Sequence, residues 1–137
     1  MPFRASRKKS SFRIPIPTEE KEQIAFVKWC RLFRLTKAPY CGQPLIFYHV
    51  PNGGSRNALE GAKFKRMGVS SGVPDLCFPM PSGAYHGLYI ELKRKTGGVL
   101  SDTQRIWLSN LSLLGYATAV CAGVDEAIAV IKRYFRE

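Results

Sequence analysis

The stretch Leu88-Tyr89-Ile90-Glu91-Leu92-Lys93 carries the strongest chemical signal in the chain. Along a strand, successive side chains point to opposite faces. Leu88, Ile90 and Leu92 then enter a core, and Tyr89, Glu91 and Lys93 share the other face. A carboxylate and an ammonium thus stand near each other on one surface. The chain holds only 10 acidic residues against 21 basic ones. One of those acids, Asp75, begins the preceding strand. Residues 79–87 read as a hairpin-like turn, which would pair the two strands and bring Asp75 to Glu91. Two carboxylates and a lysine suit metal-assisted phosphodiester hydrolysis. Oxygen ligands hold Mg²⁺, which acidifies a bound water and offsets negative charge at phosphorus. The lysine orients the water or neutralises developing charge. A plain Glu–Lys pair on an exposed strand face has the same pattern, so these residues alone leave the chemistry open.

The charge points to the same kind of partner. A net charge of +11 over 137 residues is spread along the whole chain. A domain this basic repels itself unless it meets a polyanion, and nucleic acid is the usual one. Charge does not separate a binder from an enzyme. Membrane insertion is not expected, because no stretch approaches about 18 consecutive apolar residues. No apolar signal core opens the chain, so a cytoplasmic location is expected. The four cysteines, Cys30, Cys41, Cys77 and Cys121, form no Cys-x-x-Cys pair. They read as reduced thiols, most of them buried, and not as a zinc site.

The elements that must position these residues follow from local signals. Residues 1–17 are basic and proline-containing and read as a flexible arm, which either tracks a phosphate backbone or solubilises the chain. Residues 18–137 suit one compact domain. Thr18 can cap a helix whose first turns hold Glu19, Glu20 and Glu22 and which runs to about residue 35. Residues 45–50 are aromatic and β-branched and predict a strand. Pro51-Asn52-Gly53-Gly54 is a turn, residues 57–67 favour a short helix stopped by Gly68, and residues 69–74 form a loop. Short strands follow at 75–78 and 87–93. Ser101 and Gln104 form a capping box for a helix reaching Leu114. A strand at 116–121 and an amphipathic helix at 124–135 complete the chain. The order α-β-α-β-β-α-β-α predicts one mixed sheet with helices on both faces.

Gly72-Val73-Pro74-Asp75-Leu76 followed by Ile90-Glu91-Leu92-Lys93-Arg94 closely resembles the PD-(D/E)XK nuclease superfamily. The wider series is more specific: His49-Val50-Pro51-Asn52-Gly53-Gly54, Met67-Gly68-Val69, Glu91 through Gly97, Leu100-Ser101-Asp102-Thr103-Gln104 and Gly115-Tyr116, in that order. Together they resemble the VRR-NUC family, the virus-type replication-repair nuclease domain, over roughly residues 19–135. The resemblance implies a restriction-endonuclease-like α/β fold and a Mg²⁺- or Mn²⁺-dependent endodeoxyribonuclease. It implies that Asp75 and Glu91 bind metal, with the backbone carbonyl of Leu92 as a further ligand, and that Lys93 is catalytic. Glu22 resembles the family's acidic position on the first helix and would complete the metal site. Glu19 and Glu20 lie close to it, and all three also fit simple compensation of the helix dipole. Gln104 resembles the superfamily's glutamine after the lysine strand, which implies a catalytic-site role; the capping box with Ser101 is the alternative.

Among the remaining candidates, Asn52, Lys65, Arg66 and Arg94 are expected to contact DNA. His49 fits a structural role better than a chemical one. No small-molecule organic cofactor is implied. Freestanding chains similar to this one suggest resolution of Holliday junctions in DNA repair, by a homodimer in a bacterial or phage-infected cell. A 5′-flap or nonspecific duplex endonuclease is the alternative, as is a noncatalytic DNA-binding protein that keeps the fold.

Overall fold

A computed structural model of the chain describes residues 13–51 and 57–137. Asn52 and most of the basic arm lie outside the described residues. The elements are α1 (Glu19–Leu32), β1 (Tyr48–His49), α2 (Ala58–Arg66), β2 (Leu76–Phe78), β3 (Leu88–Lys93), α3 (Asp102–Leu113), β4 (Ala117–Ala122) and α4 (Val124–Phe135). This is the expected order. The strands form one sheet in the order β1-β2-β3-β4. β1 pairs β2 and β2 pairs β3 in antiparallel fashion, while β3 and β4 run parallel.

The alternation in β3 sorts the two faces. Leu88, Ile90 and Leu92 are fully buried against Phe26 and Cys30 of α1 and Ile131 of α4. The opposite face carries Tyr89, Glu91 and Lys93, and α3 approaches it through Gln104. Thr18 caps α1 by accepting from the Lys21 N–H at 3.3 Å, and Glu19, Glu20 and Glu22 fill the first turn. Carboxylates there oppose the positive end of the helix dipole.

Two elements are shorter than the sequence predicts. α1 ends at Leu32 and not near residue 35. Phe33 turns extended (φ −73°, ψ 141°), and Leu35 enters the core from an irregular segment whose N–H bonds to the Gln43 carbonyl. The strand expected at 45–50 contracts to Tyr48–His49. Tyr48 stands opposite Cys77, so Ile46 falls opposite Pro79. Proline has no N–H to continue a ladder. The Ile46 N–H points instead to the Met80 sulfur at 3.2 Å.

Candidate active site

Asp75 ends the loop after Gly72 and sits just before β2, in register with Glu91 across the antiparallel pair. One Asp75 carboxylate oxygen accepts the Leu92 N–H at 2.7 Å. That bond fills the place where the ladder would have continued had β2 begun earlier. Within a strand the N–H and C=O of one residue point to the same side. The Leu92 carbonyl therefore faces the Asp75 side of β3, while Lys93 turns its own carbonyl to β4, where Gly123 N–H meets it at 2.9 Å.

Glu91 is 1% exposed, yet its carboxylate is only half satisfied. Its Oε1 accepts from Lys93 Nζ at 3.0 Å and from Gln104 Nε2 at 2.6 Å. Its Oε2 is buried and has no partner among the described residues. Burial first, then the charge of Asp75, push the Glu91 carboxyl up from 4.5 to about 7. Lys93 pulls it down, and Glu19 adds a further push. Burial also raises the Asp75 carboxyl above its ordinary range, against the Leu92 hydrogen bond and the charges of Lys93 and His49.

Gln104 makes two contacts at once. Its Oε1 accepts the Ser101 N–H at 2.9 Å and completes the capping box of α3. Its Nε2 is the group that reaches Glu91. The approach of α3 depends on Gly72, which has φ +87°. A β-carbon at that position would lie 2.6 Å from the Thr103 carbonyl carbon. The Asp75 loop and the start of α3 thus pass each other too closely for any side chain at position 72.

Glu22 was expected to complete the metal site with Asp75 and Glu91; its hydrogen bond goes instead to the start of α4. It belongs to the buried stripe of α1 with Phe26 and Cys30, at helical spacing. Its Oε2 accepts the Val124 N–H at 2.8 Å, at the start of α4. Glu19 is the α1 carboxylate whose charge acts on Glu91. Along with Gln23, Val27, Arg31, His49 and Asp75, it lines a groove of about 990 Å³ between α1 and the segment after β1. The i, i+4 spacing of Glu19 with Gln23 and of Glu22 with Phe26 was the signal that separates them. His49, expected to be structural, lies with its Nδ1 2.7 Å from the Asp75 carbonyl oxygen. Lys65 and Arg66 are exposed in the last turn of α2, and Arg94 is exposed just past Lys93.

The donors at Asp75, Glu91 Oε2 and the Leu92 carbonyl are all oxygen, the set that hard cations such as Mg²⁺ and Mn²⁺ take. The unpartnered, buried Glu91 Oε2 fits such a cation, because a buried carboxylate oxygen is costly unless something positive meets it. Among the described residues no group of three or more Asp, Glu, His or Cys side chains gathers. Two carboxylates with backbone, water and phosphate completing the shell match the way Mg²⁺ is usually held.

The fold and the domain it matches define a nuclease of the PD-(D/E)XK type. The family model of the VRR-NUC domain matches residues 18–125. A solved structure described as a VRR_NUC domain protein is 33% identical, with 89% of this chain and 91% of that chain covered and a TM-score of 0.75. No curated protein matches the chain. The chain belongs to the VRR-NUC domain family. Domains of this type generally use divalent metals. Among the described residues no helix is long and apolar enough to cross a membrane.

Proposed function

We propose that this protein is a Mg²⁺- or Mn²⁺-dependent endonuclease that cuts branched DNA, with the Holliday junction as its substrate. The observation that carries the reading is Glu91, a buried carboxylate with one oxygen held by Lys93 and Gln104 and the other unpartnered beside Asp75. Asp75, Glu91 and the Leu92 carbonyl would hold the cation. When bound, it would polarise the phosphoryl oxygens and acidify a water. The chain's own groups do the rest. Lys93, whose side chain is 13% exposed, keeps its ammonium at the carboxylates and offsets charge growing on the phosphoryl oxygens. Gln104 fixes the Glu91 rotamer, and the Leu92 N–H fixes that of Asp75. Water attacks phosphorus in line, and the products are a 5′-phosphate and a 3′-hydroxyl. Exposed Lys65, Arg66 and Arg94, together with Asn52, contact the backbone away from the cut.

Symmetric resolution needs two nicks in opposing strands, which a two-fold homodimer supplies. Exposed Leu113 and Leu114 at the end of α3 and Val120 on the outer strand β4 offer apolar surface for it. A role in repair within the cytoplasm of a bacterial or phage-infected cell accords with four unpaired cysteines. The test is a panel of end-labelled four-way junctions, flaps, duplexes and single strands with Mg²⁺ or Mn²⁺, alongside sedimentation of the protein and its junction complex. Paired symmetric nicks by a dimer support the reading. Faster cutting of flaps by a monomer would replace it with flap cleavage. Binding without any metal-dependent nicking would leave a noncatalytic DNA-binding protein.

A further inference from the structure

Glu22 is 3% exposed, an expensive place for a carboxylate. α4 satisfies one of its oxygens, Oε2, while Oε1 is buried with no partner among the described residues. The residue before α4 is Gly123, at φ 92°, which has no side chain to cap the helix. Glu22 reaches across from α1 and accepts the first helical N–H, that of Val124, at 2.8 Å. A carboxylate at a helix N-terminus is favoured by both the orphan N–H groups and the dipole. The residue that Glu22 thus fixes is joined directly to Gly123, whose own N–H bonds to the Lys93 carbonyl at 2.9 Å. This bond is the last rung between β3 and the start of α4, and it is made by the lysine of the site. The stem of Lys95 lies over the same glycine, where an added β-carbon would come within 2.8 Å of its Cγ.

We infer that Glu22 is a positioning residue: it caps α4 from another helix and, through Val124 and Gly123, sets the backbone from which Lys93 reaches Glu91. The inference rests on the reading of Lys93 as the catalytic group. A carboxylate that ligated metal would need its charge. A cap needs only an acceptor oxygen, which glutamine keeps. Displacing a reacting group by about 1 Å costs on the order of a hundredfold in rate.

The test measures single-turnover nicking of a supercoiled plasmid as a function of Mg²⁺ in the full chain. Glu22→Ala is expected to lose at least about tenfold in the saturated rate, with the Mg²⁺ midpoint unchanged. Glu22→Gln is expected to recover most of that rate. Val124→Pro removes the donor and leaves the carboxylate, and proline is tolerated at the first position of a helix. It should reproduce the Glu22→Ala defect, and with Glu22→Gln it decides the matter if the alanine variant does not fold. A Glu22→Gln enzyme whose Mg²⁺ midpoint rises tenfold or more would make Glu22 a ligand and overturn the inference. So would folded Glu22→Ala or Val124→Pro enzymes that cut at the wild-type rate. Wild-type rates in Lys93→Ala would instead refute the assignment of Lys93 itself.

Discussion

Replacing Glu91 with glutamine should remove a loss of stability that the metal-free wild type suffers between pH 5 and 8, while ending its activity. The Glu91 carboxyl is pushed from 4.5 to about 7 in the folded chain. The folded state therefore holds this proton more tightly than the unfolded state does. Its stabilising contribution is complete below pH 4.5 and is lost as the pH rises through about 7. At roughly 1.4 kcal/mol per pH unit, that rise corresponds to about 3 kcal/mol lost by pH 8. Glu91→Gln has no proton to lose and keeps an oxygen for Gln104, but it gives up the ion pair with Lys93. A single-pH comparison would mix the two effects. The difference in slope between pH 5 and 8 isolates the first, because Asp75 titrates in both proteins. Urea denaturation in EDTA across this range should show wild type falling relative to the variant by about 2–3 kcal/mol. Adding Mg²⁺ at pH 8 should stabilise wild type and leave the variant nearly unmoved. Parallel pH curves would refute the reasoning, since they would mean that Glu91 ionises as freely in the folded chain as in the unfolded one.

Asp75→Ala should abolish nicking and leave DNA binding intact or tighter, because a negative charge next to phosphate is removed; filter binding in Ca²⁺ beside plasmid nicking in Mg²⁺ checks both. Lys93→Ala should lower the saturated rate by roughly 10²–10³-fold with metal binding retained, as read by calorimetry and single-turnover kinetics. Lys93→Arg should restore little of it, because a planar guanidinium differs in reach and acidity. Gln104→Glu should preserve the capping box but lower both the melting temperature and the activity, since it sets a second carboxylate where Nε2 now lies 2.6 Å from Glu91 Oε1. A variant that keeps the wild-type rate and melting temperature would reduce Gln104 to a cap.

Much of this was legible in the chain because short-range rules dominate at the positions concerned. The alternation in residues 88–93 separated the core-facing leucines from Glu91 and Lys93, and the Pro79–Gly87 turn paired Asp75 with Glu91. The capping box at Ser101 and Gln104 was readable from local spacing, whereas its second use came only from the family resemblance. No local rule says that the free end of the Gln104 amide meets a carboxylate from another strand. Element lengths failed where a partner decided them: β1 is short because Pro79 lies opposite Ile46. Glu22 and Glu19 were not separable in the sequence because three glutamates in one helical turn look equivalent until the buried stripe of α1 is followed. That stripe runs through Glu22, Phe26 and Cys30.

The site and its bracing differ in how far along the chain their contacts reach. The bonds that hold the cluster join residues 17 apart, Asp75 to Leu92, and 13 apart, Glu91 to Gln104. The bonds behind it join residues about a chain length apart: Glu22 to Val124 spans 102 positions, and Thr36 to Glu137 spans 101. Contacts of low sequence separation close cheaply and early, whereas distant ones carry the full entropy of loop closure. The segment that bears the chemistry can therefore take shape during folding before the two ends of the domain meet. On the inference drawn for Glu22, the final alignment of Lys93 waits on the closure between α1 and α4.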